Sequence, residues 1–203
     1  MIIALTAAEE VAPEMDIIHH LFEQGLDLLH LRKYHFTDEQ MYRYVESIDA
    51  TYRDRLVLHS HPQLSDALQI GRIHFNEHHR QSGLFDRHHF GNIYSTSVHH
   101  ISQFNALDTR WNYAFLSPLF PSISKIGYGR KNALLNQLPL RSNFDVRLIG
   151  LGGITAANCL LPFRAGANGI ALLGAIWQDP DPIQHFIICK QLCSKNYNIS
   201  PRD

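Results

Sequence analysis

Eight short apolar runs, each followed by a segment of helical or turn character, constrain what this chain can fold into more than any other feature. They span residues 2–5, 28–31, 56–58, 72–75, 93–97, 113–116, 147–150 and 169–172. They are apolar runs rather than alternating ones, so both faces of each strand expect cover. That is the pattern of a parallel sheet wrapped in helices. An open doubly wound sheet and a closed barrel both satisfy it. Eight units in 203 residues favour the closed form, a (β/α)8 TIM barrel occupying residues 1–203 as a single domain. Several connecting helices must then be short, notably across residues 81–90, which are polar and His-rich.

The connections carry their own signals. Met15, Ile18, Leu21 and Phe22 repeat at the spacing of one helix face, and Gly25 ends that helix. Thr37 is an N-cap with Gln40 at the capping-box position. Residues 64–68 read as a short helix and residues 181–193 as an amphipathic closing one, started by Asp179-Pro180-Asp181-Pro182.

An apolar fraction of 45% supports a full core, and a formal net charge of −1 argues against a broad nucleic-acid or membrane footprint. No apolar stretch approaches the roughly 20 residues that span a bilayer. No basic leader precedes Met1-Ile2-Ile3-Ala4-Leu5, so a cytoplasmic protein is expected. Cys159, Cys189 and Cys193 form no Cys-x-x-Cys pair, and neither a disulfide nor a thiol nucleophile is expected of them. Histidine is the unusual residue, at 14 copies.

Gly150-Leu151-Gly152-Gly153-Ile154, and then the run from Gly166 through Gly169 to Leu173, fit the last two strand–loop units of a barrel. Those loops hold a phosphate in many barrels, and side-chain-free Gly152 and Gly153 let backbone N–H groups approach an anion. A plain tight turn explains the same glycines.

Barrel sites lie at the C-terminal strand ends. There the second strand delivers His30, Arg32 and Lys33, the third His59, Ser60 and His61, and the fourth His74, Asn76, Glu77, His78 and His79. The fifth brings Ser97 and His99, and the sixth opens into a loop carrying Ser122, Ser124 and Lys125. Arg32 and Lys125 with the hydroxyls of Ser97, Ser122 and Ser124 suit a phosphate-bearing small molecule. His59, His79 and His99 are candidate proton shuttles at the barrel mouth. His74 is expected to alternate toward the barrel wall and to pack. Glu77-His78-His79 and His59-x-His61 contain zinc-compatible donors, without a helical metal motif to support them.

At these residues the chain resembles the thiamine-phosphate synthase family, which also includes the thiazole tautomerases. His30-Leu31-Arg32-Lys33 resembles the family's Gln-Leu-Arg-x-Lys, Gly71-Arg72-Ile73-His74-Phe75 its Gly-Val-His-Leu strand, and Ser95-Thr96-Ser97-Val98-His99 its Gly-x-Ser-x-His strand. The most specific segment runs from Ser117-Pro118-Leu119-Phe120 to Ser122-Ile123-Ser124-Lys125, similar to Gly-Pro-x-Phe-x-Thr-x-Ser/Thr-Lys. The resemblance implies a (β/α)8 fold, a role in thiamine biosynthesis, small phosphorylated thiazole and pyrimidine substrates, and room for a homo-oligomer.

Carried over by residue, it puts pyrophosphate on Arg32 and Lys125, with Lys33 standing one position before the family's lysine, which is Tyr34 here. Ser97 and Ser122 would contact pyrophosphate or the thiazole phosphate, and Gly152, Gly153, Leu173 and Gly174 would hold the thiazole phosphate. The synthase branch uses Mg2+ on two aspartates. This chain has His59-Ser60 at the first and a position near His79 at the second, with Glu77 as a substitute ligand for one. The tautomerase branch needs no metal, only a general base. Its histidine in the sixth-strand segment corresponds to Pro118 here, so His59, His79 or His99 must serve. The resemblance implies first the synthase activity, a transferase joining a pyrimidine diphosphate to a thiazole phosphate with release of pyrophosphate; metal-independent thiazole tautomerisation is the alternative, and a non-catalytic thiazole-phosphate-binding regulatory protein the third.

Overall fold

A computed structural model of the chain describes residues 1–9, 11–83, 92–121 and 133–197. Its strands are β1 (Ile2–Leu5), β2 (Leu28–Leu31), β3 (Leu56–Leu58), β4 (Arg72–Phe75), β5 (Ile93–Val98), β6 (Trp111–Leu116), β7 (Arg147–Leu151) and β8 (Gly169–Leu172). Each pairs in parallel with the next, and β8 returns to β1 to close the barrel. The expected fold is the one observed. β5, β6 and β7 run slightly further than their apolar cores, because ladder pairing carries in residues such as Trp111 and Leu151.

The helices are α1 (Glu14–Glu23), α2 (Asp38–Glu46), α3 (Ser65–Leu68), α4 (Glu77–Gln81), α5 (Ile101–Asn105), α6 (Leu161–Arg164), α7 (Gly174–Trp177) and α8 (Pro182–Tyr197). α1 buries Ile18, Leu21 and Phe22. Gly25, at φ +82°, then turns the chain toward β2. α2 starts with the predicted box: Thr37 Oγ1 accepts the Gln40 N–H at 3.2 Å, and Gln40 Oε1 accepts the Thr37 N–H at 2.8 Å. Asp181 Oδ1 accepts the Gln184 N–H at 3.1 Å at the head of α8. Cys189 and Cys193 on α8 are buried free thiols, as is Cys159. None of the described helices is long and apolar enough to cross a membrane.

Two apolar clusters result. The larger lies between strands and helices. The smaller fills the inside of the barrel with Ile3, Leu5, Leu28, Val57, Tyr113, Phe115, Ile149 and Ala171. Fully burying one such aliphatic or Phe side chain contributes about 1.5–3 kcal/mol.

Lys33 follows β2 and is fully buried. Its Nζ lies 2.7 and 2.9 Å from the two carboxylate oxygens of Glu14 at the start of α1, and donates to the Glu9 carbonyl at 2.9 Å. The Tyr44 and Phe36 rings face the same ammonium at 5.2 and 5.6 Å. The sequence placed Lys33 in the phosphate site; the structure instead uses it to tie α1 to the end of β2. Removing one partner of a buried pair leaves a charge uncompensated, so Lys33→Met is expected to cost about 3 kcal/mol in urea unfolding. Adding Glu14→Gln to that variant should restore part of the loss.

Candidate active site

Inward positions recur every second residue along a strand. Two residues beyond the apolar Leu28 and Val57, these positions hold His30 and His59, and β4 contributes His74. His30 and His74 lie 5.1 Å apart by ring centroids, and Phe115 of β6 is 4.8 Å from His30 and 5.0 Å from His74. Barrels fill their interior in layers drawn from alternate strands. Here β2, β4 and β6 supply two imidazoles and a phenyl where branched aliphatics usually sit. His59, just past the end of β3, stacks on His74 at 4.1 Å. The expectation that His74 packs at the barrel wall is therefore corrected: it faces the interior, buried with the other two.

One hydrogen-bonded chain links these rings. His30 Nδ1 and His59 Nδ1 share a proton across 3.1 Å, and His30 Nε2 meets the Tyr113 hydroxyl at 2.6 Å. Tyr113 also bonds Ser95. Ser95 Oγ and Ser97 Oγ flank His74 at 2.9 Å from Nδ1 and 2.9 Å from Nε2. Burial is the largest cause holding all three imidazoles below their ordinary range. His74 falls to about 3, helped by His79. His30 is pushed well down by burial, His74 and Arg72. His59 is pushed well down by burial, His74, His30, Arg32 and His79. Burial raises the Tyr113 phenol. At neutral pH the chain is uncharged throughout.

The rim is cationic and aromatic. The Arg32 N–H donates to Thr6 Oγ1 at 2.8 Å, and its guanidinium lies 5.5 Å from the Tyr34 ring centroid. The Tyr34 hydroxyl bonds Asn76 and Arg32, and its ring meets His59 edge-on at 5.9 Å. Asn76 Oδ1 caps α4 by accepting the His79 N–H at 2.8 Å. Burial and His78 lower the partly buried His79. Ser122, Ser124 and Lys125 lie outside the described residues.

The two zinc-type pairs seen in the sequence do not converge. His61, at φ +57°, turns its ring to the Phe36 carbonyl (2.7 Å) and Ser60 Oγ (2.9 Å). Glu77 accepts from Gln103 Nε2 at 2.6 Å and pairs with Arg80 at 3.7 Å. The trio that does converge is His30, His59 and His74. A polar residue at an inward position of an otherwise apolar strand was the available signal for His30 and His74. Magnesium takes hard oxygen ligands, chiefly carboxylates. With Ser60 and the His79 region at the two aspartate positions and Glu77 engaged by Gln103 and Arg80, this donor set does not suit it.

His99 follows β5 at the exposed rim. Its Nδ1 lies 2.8 Å from the Ser117 carbonyl oxygen, so Nδ1 carries the proton and donates it there. That bond fixes which nitrogen is the donor, and Nε2 has no hydrogen-bond partner among the described residues. Its backbone N–H is held by Gln103 Oε1 at 2.9 Å. The ring is thus anchored at the residue preceding Pro118.

Gly152 (φ +99°) and Gly153 (φ +65°) follow β7. Their carbonyls are engaged, Gly152 by the Phe120 N–H at 3.1 Å and Gly153 by Asn158 Nδ2 at 3.0 Å. Their own N–H groups meet no acceptor among the described residues. A Cβ on Gly153 would overlap the Pro121 carbonyl and lie 2.7 Å from Phe120 Cβ. The glycines are therefore a tight turn in which the Gly152 carbonyl docks the loop after β6, the Gly153 carbonyl is held by Asn158, and the two amides have no acceptor among the described residues. Leu173 and Gly174 stand at the corresponding turn from β8 into α7. Gly153→Ala should lower stability by about 1–3 kcal/mol through overpacking, and calorimetry should show weaker binding of a thiazole phosphate.

The family model described as thiamine monophosphate synthase matches residues 2–176. The crystal structure of thiamine phosphate pyrophosphorylase from Bacteroides thetaiotaomicron is similar with a TM-score of 0.79 at 25% identity, over 97% of this chain and 98% of that one. A thiamine-phosphate synthase of Lysinibacillus sphaericus is 25% identical over 158 residues, 76% of this chain and 73% of that protein. A putative thiamine-phosphate synthase of Geobacter sulfurreducens is 34% identical over 71 residues, which span 35% of this chain and 33% of that protein.

Proposed function

The chain belongs to the thiamine monophosphate synthase family, and from that premise we propose that it moves a proton on a phosphorylated thiazole, as a Mg2+-independent thiazole tautomerase. The observation that carries this reading is His99. Its Nδ1 is committed to the Ser117 carbonyl at 2.8 Å, so Nε2 is a base of fixed tautomer at the open rim. The resemblance puts the tautomerase base in the sixth-strand segment at Pro118, and His99 is tied to the residue beside it. An imidazole held in one tautomer by a backbone carbonyl is a ready general base.

The phosphate group would rest on the free amides of Gly152 and Gly153 and on the backbone at Leu173 and Gly174. Arg32, just past the end of β2, is the rim cation offered for the same phosphate, and the resemblance adds Lys125, Ser122 and Ser124 to the task. Ser97 contributes less than expected, because its hydroxyl is shared with His74. In the reaction His99 Nε2 removes a proton from one carbon of the thiazole carboxylate phosphate and, as the imidazolium, returns it to another carbon of the same molecule as the double bonds shift. His59 and His79 fall behind His99, the first buried in the imidazole stack and the second set on α4.

Synthase activity is the second reading, favoured by the Ser117-Pro118-Leu119-Phe120 segment and by the names of the relatives. It requires a pyrimidine diphosphate to lose pyrophosphate, and among the described residues no carboxylate pair is placed to assist that departure. One experiment separates the readings: the purified protein is given a thiazole carboxylate phosphate, or the two synthase substrates, each with and without Mg2+. Tautomer interconversion by NMR that ignores Mg2+ is the expected result. Mg2+-dependent release of pyrophosphate without interconversion would move the assignment to the synthase. Binding of thiazole phosphate with neither reaction would mark a non-catalytic binder.

A further inference from the structure

We propose that His30, His59 and His74 form a three-imidazole site for a divalent transition metal of the Zn2+ or Co2+ class, inside the barrel beneath its mouth. This goes beyond the proton transfer assigned to His99 and does not depend on it.

Geometry comes first. The three rings offer one nitrogen each, all within 4.8 Å of one another. Two imidazole nitrogens on one tetrahedral zinc stand about 3.3 Å apart, given Zn–N bonds of ~2.0–2.1 Å. His30 Nδ1 and His59 Nδ1 are already 3.1 Å apart. His74 completes the set by giving up one of its two serine partners, and Ser97, the less buried of the two, is the one nearer the mouth.

The surroundings supply what a ligand set needs next. A metal-bound histidine usually donates its second ring nitrogen to a fixed partner, which sets the tautomer. Tyr113 does this for His30 at 2.6 Å, and Ser95 is placed to do it for His74 at 2.9 Å.

The chemistry also selects the metal. Imidazole donors suit zinc, copper, iron, cobalt and nickel, whereas Mg2+ requires hard oxygen. Three neutral ligands leave the ion's charge uncompensated and one position open, as in catalytic rather than structural zinc sites. Arg32 and Arg72 add positive charge nearby. The open position therefore takes an anion, hydroxide or a carboxylate or phosphate oxygen, from the side of the mouth. Two of the three ligands are departures from the family pattern, His30 standing in place of its glutamine and His59 in place of its asparagine, whereas His74 matches the family's own histidine.

Those departures also supply the controls. His30→Gln and His59→Asn put back residues the family pattern carries, and circular dichroism with thermal unfolding would verify that each variant folds. Full-length protein stripped with chelator is dialysed against Co2+, Zn2+ or Mg2+ and its metal content is measured. The expected result is one Co2+ or Zn2+ per chain, visible d–d absorption from low-symmetry Co2+, and no retention of Mg2+. Loss of an outer partner alone weakens a metal by roughly 10- to 100-fold, so removing a ligand should weaken it by at least as much. Absence of bound Co2+ and Zn2+ in the unsubstituted protein would overturn the site. Equal affinity in folded His30→Gln and His59→Asn would overturn it too, placing the metal on other histidines.

Discussion

Taking the metal-free protein from pH 7 to pH 5 is expected to remove about 2 kcal/mol of folding stability through His74 alone, with His30 and His59 adding to the loss in the same direction. Each of His30, His59 and His74 is held below its ordinary range in the folded barrel, first by burial and then by other cations. Unfolded, each titrates near ~6.5. As pH falls through that value the unfolded chain gains protons that the folded chain refuses, so unfolding becomes easier. The stabilisation is complete above the unfolded value and is lost downward toward the folded ones, which for His74 lies at about 3. The charged partners acting on the trio are arginines and other histidines, and the phenols of Tyr113 and Tyr34 beside it are raised and stay neutral, so no carboxylate named there opposes the trend among the described residues. Urea midpoints measured at intervals between pH 7 and pH 5 test this. They should fall steeply in the parent and less steeply in His30→Gln. A flat midpoint would mean that the rings protonate in place.

The second large effect belongs to catalysis. His99→Gln keeps a hydrogen-bonding side chain at the rim but removes the basic nitrogen. General-base removal lowers turnover by about 10²–10⁴-fold, and that loss is expected in the interconversion of a thiazole carboxylate phosphate. Affinity for the thiazole phosphate should change little, because the phosphate is assigned to the glycine turn and Arg32. A His99→Gln variant with unimpaired turnover would shift the base to His59 or His79. A variant that loses affinity and turnover together would make His99 a binding residue instead.

The barrel was legible because apolar runs covered on both sides leave few alternatives to a parallel sheet, and because Thr37, Gln40 and Gly25 do locally what their residue types favour. The site was only half legible. Arg32, His99, Gly152 and Gly153 stand at strand ends, where position along the chain already implies position in the barrel. Lys33 was misplaced because its partner Glu14 is a tertiary neighbour on another element, and a lysine beside an arginine looks the same whether it meets phosphate or carboxylate. His74 was misjudged through the parity of one strand: inward and outward differ by a single residue of register. The convergence of His30, His59 and His74 depends on which residues pair across β2, β3 and β4, and that information lies between strands rather than within any one of them.

Ring closure has a consequence for how the chain is made. β1 is seamed to β8, with the Met1 ammonium donating to the Asn168 carbonyl across 167 residues of sequence and the Met1 carbonyl accepting the Ile170 N–H. Synthesis at ~5–20 residues per second therefore separates the two sides of the seam by roughly ten to thirty seconds. Throughout that interval β1 presents one unpaired edge, the kind of edge to which other strands add. Contacts this distant in sequence are also the slow ones to form. During biogenesis, the vulnerable part of this molecule is thus its first strand, waiting for its last.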